Sequence, residues 1–168
     1  MIEQEIKLRF DTHEAARQAV IAAGGRLVRS ERPQDDRFLD TTDDRLSDGG
    51  CALRIRREPG VTTLTFKGPI EAGPVKSREE IETTVADADI AEALLGKLGF
   101  AEWWRVLKHR EDYLIGDVCV FIDQTPVGVF VEIEGTLETI AATARALGRA
   151  PKDYILDSYR TLYTRPAR

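Results

Sequence analysis

Seven acids and seven bases of this chain stand at every-second-residue spacing in stretches that read as β-strands. The acids are Glu3, Glu5, Glu80, Glu82, Asp123, Glu132 and Glu134; the bases are Lys7, Arg9, Arg54, Arg56, Lys67, Lys108 and Arg110. An arginine fork donates two parallel hydrogen bonds to phosphate oxygens, and a lysine supplies a compact positive charge. Carboxylates repel phosphate but hold hard divalent cations that can bridge to it. Both signs together therefore suit a metal–polyphosphate site. A nucleic-acid groove would be basic without so many acids, and the formal net charge of −5 also argues against non-specific nucleic-acid binding.

The elements that must position these groups follow from parity. In residues 2–10, Glu3, Glu5, Lys7 and Arg9 share one parity and Ile2, Ile6, Leu8 and Phe10 the other, which is a strand with an ionic and an apolar face. The same alternation predicts strands at 51–58, 62–68, 79–86, 104–114 and 128–135, with Asp123 closing an apolar run at 117–123. Residues 26–39 read as extended, and 40–50 as a polar loop. Pro59-Gly60 makes a short turn, and Gly68 to Lys76 reads as a long loop.

Helices are predicted from Thr12 to Gly24, from Asp87 or Asp89 to Lys97, over 138–147 and over 153–163. The first carries Ala15, Ala16, Ala19, Val20 and Ala23 on its apolar face. The second carries Ile90, Ala93, Leu94 and Leu98, and the third Ile140, Ala144 and Leu147. About eight strands, mostly joined as hairpins, imply an α+β fold with an antiparallel sheet, curved or closed, and helices packed outside. Charge on one face of such a sheet ordinarily means a wet face. Here the helices need the apolar faces of the strands, which turns the charged faces inward.

The 168 residues, 42% hydrophobic and 32% charged, fit one soluble domain over 1–168. No apolar run is long enough to span a bilayer, and the N-terminus opens directly on a strand pattern, so neither a membrane span nor a signal peptide is expected. Cys51 and Cys119 read as small core residues in a reducing cytoplasm. His13 is expected at an exposed helix start, and His109 alternates away from Lys108 and Arg110. Trp103-Trp104 is expected to pack against a core or a partner surface. Asp35-Asp36 and Asp43-Asp44 read as solvated loop charges, and Asp40 as a turn cap.

The ordered set of motifs resembles the CYTH superfamily, the triphosphate tunnel metalloenzymes. It comprises Glu3-Gln-Glu5-Ile-Lys7, Asp36-Arg-Phe-Leu-Asp40-Thr, Ala52-Leu-Arg54-Ile-Arg56, Thr65-Phe-Lys67-Gly68-Pro69, Arg78-Glu-Glu80-Ile-Glu82, Lys108-His-Arg110-Glu-Asp-Tyr113, Val129-Phe-Val-Glu132-Ile-Glu134 and Ser158-Tyr159-Arg160. The Lys-Gly-Pro, Lys-x-Arg-x-x-Tyr and Ser-Tyr elements are most similar to the class IV adenylyl cyclase-like branch.

The resemblance implies an eight-stranded antiparallel β-tunnel with charged residues inside. It implies Mg²⁺ or Mn²⁺ on Glu3, Glu5, Asp123, Glu132 and Glu134. Arg54, Arg56, Lys67 and Arg110 would bind a triphosphate, with Lys7 and Lys108 close by and Glu80 and Glu82 lining the tunnel. Lys7 and Lys67 are the catalytic candidates. Lys7 would serve as a general base if neighbouring cations depress its pKa, or as a phosphate contact.

The implied activity is hydrolysis of tripolyphosphate or ATP. Cyclisation of ATP to cyclic AMP and pyrophosphate, or polyphosphate and nucleotide binding without turnover, are the alternatives. Three departures favour the simple triphosphatase: no His-Phe pair precedes Glu3, Phe38 stands where Tyr is common, and Ala52 offers no aromatic platform for thiamine. Some apolar strand surface could pair two copies as a homodimer.

Overall fold

The computed structural model describes residues 1–164. Its strands are β1 (Ile2–Phe10), β2 (Arg26–Thr41), β3 (Ala52–Glu58), β4 (Val61–Lys67), β5 (Lys76–Val85), β6 (Phe100–Ile115), β7 (Val118–Thr125) and β8 (Gly128–Glu134). Its α-helices are α1 (His13–Ala22), α2 (Arg45–Asp48), α3 (Ala88–Lys97), α4 (Leu137–Ala146) and α5 (Tyr159–Thr164). The strands hydrogen-bond in the order β1-β5-β4-β3-β2-β6-β7-β8 and close into a barrel, so the fold is α+β with an antiparallel barrel. Among the described residues, no helix is long and apolar enough to cross a membrane.

Contacts divide the chain into two compact units. The first comprises Met1–Glu3, Arg32–Ala72 and Ser77–Leu107. The second comprises Gln4–Glu31, Gly73–Lys76 and the chain from Lys108 onward.

The second unit holds the main apolar core. Ile6 and Leu8 of β1, Val120 and Ile122 of β7, and Val131 and Ile133 of β8 pack with Ala16 and Val20 of α1, Ile140 and Ala144 of α4, and Leu147 just after α4. Each fully buried aliphatic side chain stabilises by about 1.5–3 kcal/mol. Thr12 caps α1 by accepting from the Ala15 amide, and Thr136 caps α4 by accepting from that of Thr139. The expected apolar faces of α1 and α4 thus meet β7 and β8. The ionic face of the same strands points the other way, and in a closed barrel that is the inner face.

In the first unit β2, β3, β4 and β5 run antiparallel in succession, with Phe38 opposite Arg54, Arg54 opposite Thr65, and Lys67 opposite Glu80. Gly60 turns β3 into β4 at φ +83°, a backbone region open to glycine. Helix α3 departs from expectation. Ile90, Leu94 and Leu98 are 58–65% exposed. The partly buried side carries Ala88, Ala91, Glu92 and Leu95 instead, and Glu92 accepts from Arg57 Nη2 at 2.6 Å and from Arg37 Nη1 at 3.0 Å.

Three boundaries also shift. Strand β5 starts at Lys76, inside the expected loop; β6 starts at Phe100; and the expected last helix is a 3₁₀ turn at Pro151–Asp153 followed, after an extended stretch, by α5. That extended stretch pairs Ile155 with Lys7, exchanging two backbone hydrogen bonds at 2.9 and 3.0 Å.

Candidate active site

In the second unit, β1, β6, β7 and β8 bring Glu5, Lys7, Lys108, Arg110, Asp123 and Glu132 into one buried ionic cluster. Asp123 is its centre, with no exposed surface. Arg110 grips it with Nε and Nη2, each at 2.6 Å, and Lys108 Nζ donates to it at 2.6 Å. Arg110 also pairs with Glu132. Lys7 Nζ donates to Glu5 at 3.0 Å and lies 3.2 Å from Glu132. Lys76 donates to Glu5 as well.

Burial alone would push these carboxyls up, because it penalises the charged form. For Asp123 the nearby Arg110 and Lys108 outweigh that and hold it below the ordinary range. For Glu132, Lys7, Arg110, Lys108 and Lys76 outweigh it and hold it well below. Arg110 is likewise held well above its ordinary value, since burial is outweighed by Asp123 and Glu132. Three carboxyl groups, Glu5, Asp123 and Glu132, are thus set against four basic groups, Lys7, Lys76, Lys108 and Arg110.

The expected depression of Lys7 is reversed. Burial pulls its pKa down, but attraction to Glu5 and Glu132 and hydrogen bonds to both hold it above the ordinary lysine value. The groups next to its ammonium are the carboxylates of Glu5 and Glu132 rather than cations, which favours the charged form.

Tyr159, the first residue of α5, joins this cluster. Its hydroxyl donates to Asp123 at 2.8 Å, and its ring lies beneath Lys7 and Lys108. Burial and the charges of Asp123 and Glu132 push its pKa well up, which keeps the hydroxyl a donor. Arg9 lies over the Phe130 ring and donates to the Val127 carbonyl at 3.0 Å, at the edge of the cluster.

Glu134 stands opposite Glu5 in the β1–β8 register, with carboxylate oxygens of the pair within 4.8 Å of each other. Glu3 precedes Glu5 by two residues on the same strand, hence on the same face. Cys119, expected in the core, instead has the parity of Asp123 and lies opposite Glu134; burial, then Glu134 and Asp112, push its thiol pKa up. Cys51 and Cys119 are free thiols.

The first unit carries the remaining expected residues. Lys67 contacts Glu80 and donates to Glu3 at 3.2 Å. Arg54 donates to Thr65 at 3.1 Å and Glu82 at 3.3 Å. Arg56 turns to Asp36, donating through Nε at 2.6 Å and Nη2 at 2.7 Å. Asp36 is 3% exposed, which corrects its reading as a solvated loop charge: it lies inside β2, on the face of Arg54 and Arg56. Arg78 fastens the loop after Lys67 by donating to the carbonyls of Gly50, Lys67 and Gly68.

Asp40 caps a turn as expected. Its carboxylate accepts from the backbone amides of Thr41, Leu46 and Ser47, each at 2.8 Å. Trp104 does not pack into the apolar core: it shares the parity of Lys108 and Arg110 and pairs with the Phe38 ring at 5.2 Å.

His109 is exposed. His13 is only partly so, with Nε2 3.5 Å from Glu111. Glu111 sits on the opposite face of β6 from Arg110 and accepts from Arg17 and Tyr113.

Three members of the clusters lie outside the expected site residues: Lys76, Asp36 and Tyr159. Lys76 had a signal, since Lys76, Arg78, Glu80 and Glu82 share one parity, but Pro74 masked the strand start. Asp36 shares parity with Phe38 and Asp40 in an extended stretch. No periodicity could place Tyr159, which reaches Asp123 from 36 residues away.

Comparison with known proteins identifies relatives of this arrangement. Residues 1–159 match the CYTH domain family. A Methanocaldococcus jannaschii protein provisionally named an adenylate cyclase is 33% identical over 83% of this chain and 80% of its own length. The Aeromonas hydrophila adenylate cyclase CyaB is 27% identical over 95% of this chain and 87% of its own. A crystal structure from Vibrio parahaemolyticus, also provisionally described as an adenylate cyclase, superposes with a TM-score of 0.87 at 22% identity. It covers 98% of this chain and 99% of its own.

Proposed function

Because the chain belongs to the CYTH domain family, whose members are in general metal-dependent enzymes of the triphosphatase or adenylyl cyclase-like kind, we propose that it hydrolyses a triphosphate with a divalent metal. The observation that carries this reading is the buried ion-pair cluster of Lys7, Lys76, Lys108 and Arg110 with Glu5, Asp123 and Glu132. Burying seven charges is costly, and such pairs are weak devices for stability alone. A set of both signs is what a metal–polyphosphate substrate can exchange into.

The donor set fits Mg²⁺ or Mn²⁺, since the acids are all carboxylates and hard cations take oxygen ligands. Glu3, Glu5 and Glu134 are the ligands best placed on one face, with Asp123 and Glu132 available if their cations turn to phosphate. Bound there, the ion would neutralise phosphate charge and lower the pKa of a bound water.

The chain's own cations do the rest. In the first unit, Arg54 and Lys67 are the phosphate-binding cations of this reading; in the second, Arg110, Lys108 and Lys7 supply the charge that stabilises a leaving polyphosphate. Arg56 is oriented by Asp36. Glu80 and Glu82 hold Lys67 and Arg54 in place until phosphate takes over. Lys7, kept protonated by Glu5 and Glu132, acts as a positive charge and not as the base that activates water.

The names of the Methanocaldococcus and Aeromonas relatives support a second reading, cyclisation of ATP. In that reaction the ribose 3′-hydroxyl attacks the α-phosphorus and pyrophosphate leaves. One assay separates the two. The protein is incubated with Mg²⁺ or Mn²⁺ and either tripolyphosphate or ATP, and products are identified. Orthophosphate is expected. Cyclic AMP with pyrophosphate would replace hydrolysis by cyclisation, and tight binding without turnover would reduce the protein to a binding module.

A further inference from the structure

The geometry points to a second metal site at His13, Glu31 and Glu111, separate from the ionic cluster and suited to a transition ion such as Zn²⁺. All three residues belong to the second unit. His13 opens α1, Glu31 lies in the first half of β2, and Glu111 is on β6. One ligand atom from each residue lies within 4.8 Å of the other two. Glu111 has the parity opposite to Lys108 and Arg110, so it faces away from the carboxylates offered to Mg²⁺ or Mn²⁺ in the proposed reaction.

The imidazole of His13 lacks a partner that its position calls for. The side chain is 21% exposed, but its Nε2 is shut off from solvent and makes no hydrogen bond. A buried polar atom left in that state is costly and rare. Glu111 Oε2 is 3.5 Å away, beyond ordinary hydrogen-bond length. A tetrahedral ion about 2.1 Å from each of two ligand atoms holds them roughly 3.4 Å apart. The spacing therefore suits two ligands of one ion better than a donor and its acceptor.

Glu111 is held ready for the same role. Its side chain is 2% exposed. Arg17 Nη2 donates to Oε1 at 3.0 Å, and the Tyr113 hydroxyl donates to Oε2 at 2.8 Å. Carboxylates that ligate metals are ordinarily fixed by such outer hydrogen bonds, and each oxygen has lone pairs for both a donor and an ion. Glu31 is exposed and supplies the third ligand from the solvent side, where water completes a tetrahedral set. An imidazole among carboxylates suits Zn²⁺, whereas Mg²⁺ and Ca²⁺ take oxygen ligands. The ion would tie the first half of β2 to α1 and β6.

The test titrates Zn²⁺ by calorimetry into the metal-free full chain in excess Mg²⁺. The proteins are wild type, His13→Gln, Glu31→Gln and, as a control on the other carboxylates, Glu134→Gln. The expected result is a Zn²⁺-binding event that weakens by about tenfold or more in the His13 and Glu31 variants, at least what losing a supporting group costs a metal site. In Glu134→Gln it should stay within about twofold of wild type. The chain has two histidines, so nitrogen NMR reads each imidazole. In wild type, Zn²⁺ should shift His13 Nε2 and leave His109 in place.

No Zn²⁺ binding by wild type, affinity unchanged in the His13 and Glu31 variants, or a loss in Glu134→Gln as large as in those two would overturn the site. Should His13→Gln fail to fold by circular dichroism, Glu31→Gln, a change at an exposed residue, and the wild-type spectrum decide. Unchanged affinity in the one, or an unmoved His13 Nε2 in the other, overturns the site. Each of these outcomes leaves the triphosphate reading standing, since that rests on the ionic cluster.

Discussion

Arg110 and Asp123 form a two-pronged ion pair in which Nε and Nη2 each lie 2.6 Å from a carboxylate oxygen, with no part of Asp123 exposed. The pair spans β6 and β7, where the two residues are direct register partners. It ties two roles expected of separate groups, phosphate binding and metal ligation, into one contact.

Removing one partner of this pair should be expensive. Arg110→Met leaves Asp123 and Glu132 short of a buried cation and is expected to destabilise the fold by about 3–5 kcal/mol, as breaking a buried pair does. Urea denaturation gives the value. A change within about 0.5 kcal/mol, the range of ordinary surface substitutions, would mean that the pair is far more solvated than its geometry indicates.

Metal and polyphosphate should bind cooperatively. Each carboxylate that takes up the metal frees a cation, and each cation that takes up phosphate frees a carboxylate. Reciprocal coupling of about 1–3 kcal/mol is expected, that is, about 5- to 150-fold weaker tripolyphosphate binding in EDTA than in Mg²⁺. Calorimetric titration under both conditions measures it, and equal affinities would show that the two ligands do not share these partners.

Arg54 should contribute through its charge-assisted contact with phosphate. Arg54→Ala is expected to weaken tripolyphosphate binding by about 1.5–3 kcal/mol. Equal affinity in wild type and variant would remove Arg54 from the phosphate grip.

Lys7 should be replaceable by another permanent cation but not by a neutral group. Lys7→Arg is expected to retain most of kcat/KM for triphosphate hydrolysis, whereas Lys7→Gln should lose about 10- to 100-fold, the loss of one charge-assisted contact. If Arg is as damaging as Gln, the ammonium is needed for something besides its charge.

Asp40 should make stability depend on acid pH. Burial raises its pKa, but the amides of Leu46, Ser47 and Thr41 outweigh that and hold it below the ordinary value. A depressed carboxyl contributes stability that is complete above its unfolded pKa of about 3.9 and is lost as pH falls through the folded value. Asp40→Asn is therefore expected to lower stability at pH 7 by about 1.5–3 kcal/mol, with the gap to wild type closing below about pH 4. Thermal melts at the two pH values test this.

The strands, their parity and the pairing of Glu3, Glu5 and Lys7 on one face were legible in the chain, because β-structure alternates side chains with period two and needs no distant partner to do so. The apolar faces of α1 and α4 were legible for the same local reason, a 3.6-residue period. Helix α3 was misread on that logic. Its expected stripe satisfies the period, but the partly buried side is the one with Ala88, Ala91, Glu92 and Leu95, where Glu92 meets Arg57 and Arg37.

What parity cannot state is which opposite charges meet. Asp36 could be assigned to water until β2 was laid beside β3, where it meets Arg56. Lys7 could be cast as a base until β8 brought Glu132 to its ammonium, because a pKa depends on the charges within a few ångströms and not on sequence neighbours. Tyr159 entered only when the C-terminal segment folded back along β1. The amino-acid sequence by itself determined the kind of surface, ionic on one face and apolar on the other; the tertiary structure decided its chemistry, since strand order and register set the distances over which charges act.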